Sequence, residues 1–122
     1  MSEEVTRGQF DAAVQGVIQS LQLTSPYAKG FVIVAIECVV LFDKKNNDYG
    51  PRNISEFGER GVYVRMWDKI SRLKRLVWDN VEAQVKDESV EDTWMDSAVY
   101  SIIGLMNRRG MWKEETDERQ AS

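Results

Sequence analysis

The sequence predicts an all-α protein, a compact bundle of about four helices. Three observations lead there. Apolar residues recur at three- and four-residue steps over long segments, helix start and stop signals punctuate those segments, and no stretch alternates convincingly as a strand. From Gln9 to Leu23, Phe10, Ala13, Val14, Val17, Ile18 and Leu21 fall on one face, the pattern of an amphipathic helix. Ser25 followed by Pro26 reads as an N-cap and a first-turn proline, so a second helix is expected from there to about Lys45. Asn46-Asn47-Asp48-Tyr49-Gly50-Pro51 is dense in turn formers and reads as a loop. A short helical turn is expected within Asn53 to Gly61, followed by a third helix from about Val62 to Val85. Ser89 with Asp92 three residues on resembles a capping box, with a fourth helix running to about Arg109 and Gly110 as its stop.

At 122 residues with 43% apolar and 30% charged side chains, the chain is sized for one domain, taken as residues 1–112, with a polar tail over 113–122. It contains no histidine, which removes Ser-His-Asp and Cys-His catalysis and His-ligated zinc together. Cys38 is the one cysteine and sits in an apolar run, so it reads as a small core residue in a reducing compartment. A net charge of −4 argues against general nucleic-acid binding. No basic, then apolar, leader opens the chain, and the 12-residue run Phe31–Phe42 is short for a membrane span, so a cytoplasmic location is expected.

Acid–base and metal chemistry would therefore fall to carboxylates. On the fourth helix, steps of about 100° per residue place Glu88, Asp92 and Asp96 beside the apolar positions Met95, Val99, Ile102, Ile103 and Met106, with Ser97, Ser101 and Arg108 opposite. On the second, Glu37 is set among Ile33, Val34, Val40 and Leu41. A buried carboxylate needs a proton, a partner or a cation, and acids converging from two helices can build a divalent-metal site. The plainer alternatives are helix-dipole acids at a wet N-terminus for Glu88, Asp92 and Asp96, and a structural ion pair for Glu37.

The third helix offers an apolar seam of Tyr63, Met66, Ile70, Leu73 and Val77, with Arg65, Asp68, Lys69 and Arg72 on the opposite side or flank. That charged face is either solvated or grips phosphate. Residues 59–80 carry six bases and three acids, whereas 87–96 carry five acids and no base. The asymmetry suits a metal wall facing a phosphate wall, and equally suits two complementary packed helices. Gly58-Glu59-Arg60-Gly61 lacks the Walker A pattern and reads as a loop. Trp67, Trp78, Trp94 and Trp112 read as core or interface residues, one of which could stack on a base.

Three phrases, Lys45-Asn46-Asn47-Asp48-Tyr49-Gly50, Arg65-Met66-Trp67-Asp68-Lys69-Ile70-Ser71-Arg72-Leu73 and the run from Glu88 to Tyr100, resemble the phage and prophage family called nucleotide modification associated domain 1. The resemblance covers about residues 37–106 and implies an all-helical domain tied to nucleotide metabolism or base modification. A looser similarity is to the MazG-like all-α NTP pyrophosphohydrolases, which hold Mg²⁺ with carboxylates of two helices and are often dimeric. Their pattern is ExxE on one helix and ExxD on another; here Val40 stands three residues after Glu37, and no ExxD follows Glu88.

The leading expectation is thus a nucleotide-binding protein of this class, with possible Mg²⁺-dependent (d)NTP pyrophosphohydrolase activity. Glu37, Asp92 and Asp96 would hold metal, Glu88 would be a fourth ligand or the base that orients water, and Lys45, Arg65, Lys69 and Arg72 would hold phosphates. Asp48 and Tyr49 would meet base or sugar. The alternatives are a non-enzymatic binder that sequesters a nucleotide or nucleotide signal, and a structural helical oligomer whose acids pair with Arg65 and Arg72. A homo-oligomer, most simply a dimer, is expected in each case, because Phe31–Phe42 and four tryptophans exceed what four short helices cover.

Overall fold

The computed structural model of the protein describes residues 4–50, 52–81 and 89–112. Among them there are four α-helices and no strand: α1 Arg7–Ser20, α2 Ala28–Tyr49, α3 Arg52–Leu73 and α4 Val90–Arg108, with a π-helical turn over Lys74–Trp78 continuing α3. The all-α class is as the periodicity predicts. The expected tail over 113–122, the end of the third helix near Val85 and Glu88 lie outside the described residues. The chain divides into two units, residues 1–48 and 49–122.

In the first unit, α1 opens on a capping box. Thr6 Oγ1 accepts from the Gln9 amide at 3.1 Å, and Gln9 Oε1 accepts from the Thr6 amide at 2.9 Å. The helix stops three residues earlier than its apolar pattern because Gln22 adopts φ 53°, letting the Leu23 amide reach back to the Ile18 carbonyl. Val14 is the buried centre of its seam. Ser25 caps a turn, its Oγ accepting from the Tyr27 amide, and α2 begins only at Ala28. Its buried residues are Val32 and Cys38.

The Asn46–Tyr49 segment, expected as a loop, is the last turn of α2. Asn and Asp are weak helix formers, but here Asn47 Nδ2 donates to Asp43 Oδ2 one turn back at 3.5 Å, and the stop is supplied by Gly50 at φ 78°. Turn composition marked the right neighbourhood and misplaced the boundary by a turn.

In the second unit, Gly58-Glu59-Arg60-Gly61 is a kink inside α3 and not a loop. Gly58 takes φ 62° and ψ −151°, a region essentially closed to residues with a Cβ, and a Cβ on Gly61 would stand 2.5 Å from Phe57 Cβ. The two glycines let the chain turn sharply and continue as helix. Beyond Leu73 the bonding widens to the π pattern. Asn80 at φ 56° then ends the segment.

α4 opens on the capping box that Ser89 and Asp92 predict and closes on Gly110 at φ 70°, with the Met111 amide bonded to the Met106 carbonyl at 2.8 Å. α3 and α4 lie antiparallel. Glu59 meets Arg108, Val62 meets Gly104, Arg65 meets Tyr100, Met66 meets Ser101 and Lys69 meets Asp96, so each step forward on one helix is a step back on the other.

Two backbone predictions follow from these positive-φ residues. Gly58→Ala is expected to lower stability by about 1–3 kcal/mol. Gln22→Gly, which removes a left-handed non-glycine residue, is expected to raise it by about 0.5–1 kcal/mol. Chemical denaturation monitored by circular dichroism checks both, and equal midpoints for all three proteins would refute the backbone assignment.

Candidate functional site

The faces of α3 and α4 that meet mix small, polar and apolar side chains. On α4 the buried positions are Thr93, Ser97 and Ile103, with Gly104 against Val62 Cγ1. Thr93 is 2% exposed, yet its hydroxyl is satisfied by the Ser89 carbonyl at 2.8 Å. Ser97 and Ser101 bond in the same way to the carbonyls of Thr93 and Ser97, at 2.8 and 2.9 Å. Hydroxyls that close on their own helix present only small, saturated surfaces to the neighbour, so α3 approaches closely without stranding a polar group.

The inward face of α4 is turned part-way round from the expected one: Ile103 is buried, Met95, Val99 and Met106 are part-buried, and Ser101 and Arg108 are exposed, all as expected. Ser97, expected on the solvent side, is buried, whereas Ile102 is half exposed. Hydropathy alone centres the contact on the most apolar positions; small size and self-satisfied hydroxyls draw it round toward Thr93 and Ser97 here.

On α3 the inward face is shifted too: it keeps Met66 and Leu73 of the expected seam and adds Arg65, Lys69 and Arg72. Val62 and Leu76 are buried, and Arg65, Met66, Lys69 and Arg72 are part-buried on the side facing α4. Lys69 Nζ stands 3.4 Å from Asp96 Oδ2, each side chain 25% exposed, and Arg65 Nη1 donates to Tyr100 Oη at 3.5 Å. The Nε of Arg72 is shielded from solvent. At the open end of the hairpin, Arg108 Nε reaches Glu59 Oε2 at 2.9 Å in an exposed pair of modest worth. Of the expected apolar seam, Tyr63, Ile70 and Val77 are each more than half exposed, as is Trp67 beside them, while Met66 and Leu73 are part-buried.

The acids proposed as metal ligands have separate occupations. Asp92 is exposed and completes the cap of its own helix, its Oδ2 accepting from Ser89 Oγ at 2.8 Å and from the Ser89 amide at 3.4 Å. Asp96 faces Lys69. Glu37 lies in the first unit and is exposed, with Val34 and Val40, three residues to either side, also exposed. The expectation that Glu37 is buried fails because an apolar run is covered on only part of its circumference. Among the described residues no three acids or cysteines gather closely enough to share a metal ion.

Of the other expected ligand-binding residues, Lys45 and Asp48 are exposed on the last turns of α2, and Tyr49 ends that helix. Arg65, Lys69 and Arg72 are brought together along the α3–α4 seam. Thr93, Ser97 and Tyr100 belong to the same seam and were not singled out by sequence; their four- and three-residue spacing was the available signal. Cys38 is buried as expected, and that burial, with the Glu37 charge beside it, pushes its thiol above the ordinary range.

Comparison with known proteins gives no match to a family model, a curated protein or a solved structure. No helix among the described residues is long and apolar enough to cross a membrane.

Asp96→Asn is expected to destabilise the protein by about 1–2 kcal/mol because it strips a part-buried lysine of its charge partner. In a metal-ligand role the same change would relieve repulsion among acids and leave stability equal or higher, so the sign of the shift in denaturation midpoint separates the two. Native Cys38 is expected to resist alkylation at neutral pH and react on unfolding. The raised thiol favours the fold at neutral pH, a contribution lost as pH climbs through the folded thiol's raised range. Rapid labelling of folded protein would contradict this.

Proposed function

We propose that this protein is a non-enzymatic helical assembly module, acting through the surfaces its helices present. The observation that carries the reading is the apolar surface that the α3–α4 pair turns outward, with Tyr63, Trp67, Trp94 and Ile102 each more than half exposed while Lys69, Asp96 and Ser97 turn inward. Apolar side chains left outward on two adjacent helices cost solvation unless another surface covers them. Among the described residues, Asp92 is taken up in a cap, Asp96 in an ion pair, and Glu37 is exposed. Sedimentation velocity over a concentration series tests the reading: a reversible increase in mass is expected, and a monomer at the highest soluble concentration would refute it.

A second reading keeps the nucleotide. Arg65, Lys69 and Arg72 line one flank of a single helix, and guanidinium groups held by neighbours are suited to phosphate oxygens. The phrases resembling the phage nucleotide-modification family run through the same helix. In this reading Mg²⁺ would accompany the phosphates. A panel of nucleotides, each with Mg²⁺ and with chelator, decides. A thermal shift lost in Arg65→Ala supports binding, release of pyrophosphate supports hydrolysis, and no response to any nucleotide removes this reading.

A further inference from the structure

We infer that the outward apolar face of the α3–α4 hairpin binds the same face of a second copy of this chain, antiparallel, about a two-fold axis. The inference rests on the assembly reading and names its surface.

The α3 stripe follows alternating four- and three-residue steps, Tyr63, Trp67, Ile70, Lys74, Val77, the spacing with which one helix seats another. Three large α4 residues, Trp94, Ile102 and Leu105, are each about half exposed, and the smaller Ala98 between them is exposed too. The two stripes lie on one side of the hairpin. Counting about 100° per residue from Lys69 on α3 and from Tyr100 on α4, the α3 stripe centres near ~120° and the α4 stripe near ~155° round in the same rotational sense. For antiparallel helices that face each other, equal rotation leads to the same side. The Ser101 hydroxyl, 3.8 Å from Met66 Sδ, marks that side at the seam.

Area and charge both fit a second copy. The seven large side chains, with Trp67 60% and Trp94 56% exposed, present on the order of 800 Å² on this face, about what one partner contributes to a standard stable interface. Charge is also polarised along the exposed side of α4: Glu91 stands in its first turn and Arg109 just past its end. Antiparallel α4 helices bring the acidic end of one copy to the basic end of the other and set Trp94 over the second copy's Leu105. Parallel copies would stack like charges.

The test is sedimentation velocity on the full chain and on Ile70→Lys and Leu105→Lys, with helix content followed by circular dichroism. The wild type is expected to be a dimer, and each variant to raise the dimer dissociation constant about 30-fold or more at unchanged helix content. Glu91→Arg is expected to weaken the dimer, and adding Arg109→Glu to restore it. These two residues are exposed at helix ends, so the charge pair keeps the test decisive if a lysine variant fails to fold. A dimer indifferent to all four substitutions would overturn this surface and leave the assembly reading standing. A monomer would overturn both, and a monomer that co-sediments with anionic phospholipid vesicles would assign the face to a lipid surface instead.

Discussion

The close approach of α3 and α4 governs the second unit. It depends on a row of small residues on α4, Thr93, Ser97 and Gly104, the two hydroxyls being returned to their own helix. Had those positions carried leucine, the helices would stand farther apart, and Lys69 and Asp96 could not meet across the seam. With the small row turned inward, helical geometry leaves no choice about the rest. Trp94, Ile102 and Leu105 must then face outward, and on α3 the inward place of Val62, Lys69 and Leu76 obliges Tyr63, Trp67 and Ile70 to do the same.

A charged interior of this kind is weak evidence for stability. Desolvating a lysine and an aspartate offsets much of their attraction, and a pair one-quarter exposed sits between the surface and buried regimes. The hairpin's net stabilisation therefore rests more on Val62, Ile54, Leu76 and Ile103, which are buried, than on its ion pairs. That is a thin core. Its thinness and the outward tryptophans are two aspects of one arrangement, in which apolar surface that a self-sufficient domain would fold inward is held available.

The helices themselves were legible because their signals are local: the Ser89–Asp92 capping box, the Gly110 stop and the apolar steps of α1 all fall where the residues indicate. Boundaries set by a positive φ at Gln22 and Asn80 were not legible, since neither residue type requires that conformation. The faces were misread for a different reason. Hydropathy ranks serine and threonine as solvent-facing, yet a hydroxyl bonded one turn back is small and satisfied, and only knowledge of the neighbouring helix reveals that size mattered more than polarity. Glu37 shows the converse error, since an apolar neighbourhood in sequence became burial only where something lay on top. Arg65, Lys69 and Arg72 were correctly gathered on one helix flank, but their partners, Tyr100 and Asp96, required the antiparallel register.

The self-closed hydroxyls of α4 have a mechanical consequence. Hydroxyl bonds that close within α4 say nothing about where α3 lies along it. What indexes the hairpin is the set of directional contacts spaced along it, Glu59 with Arg108, Arg65 with Tyr100 and Lys69 with Asp96. These act as the graduations of a vernier, fixing which turn lies against which while adding little adhesion of their own.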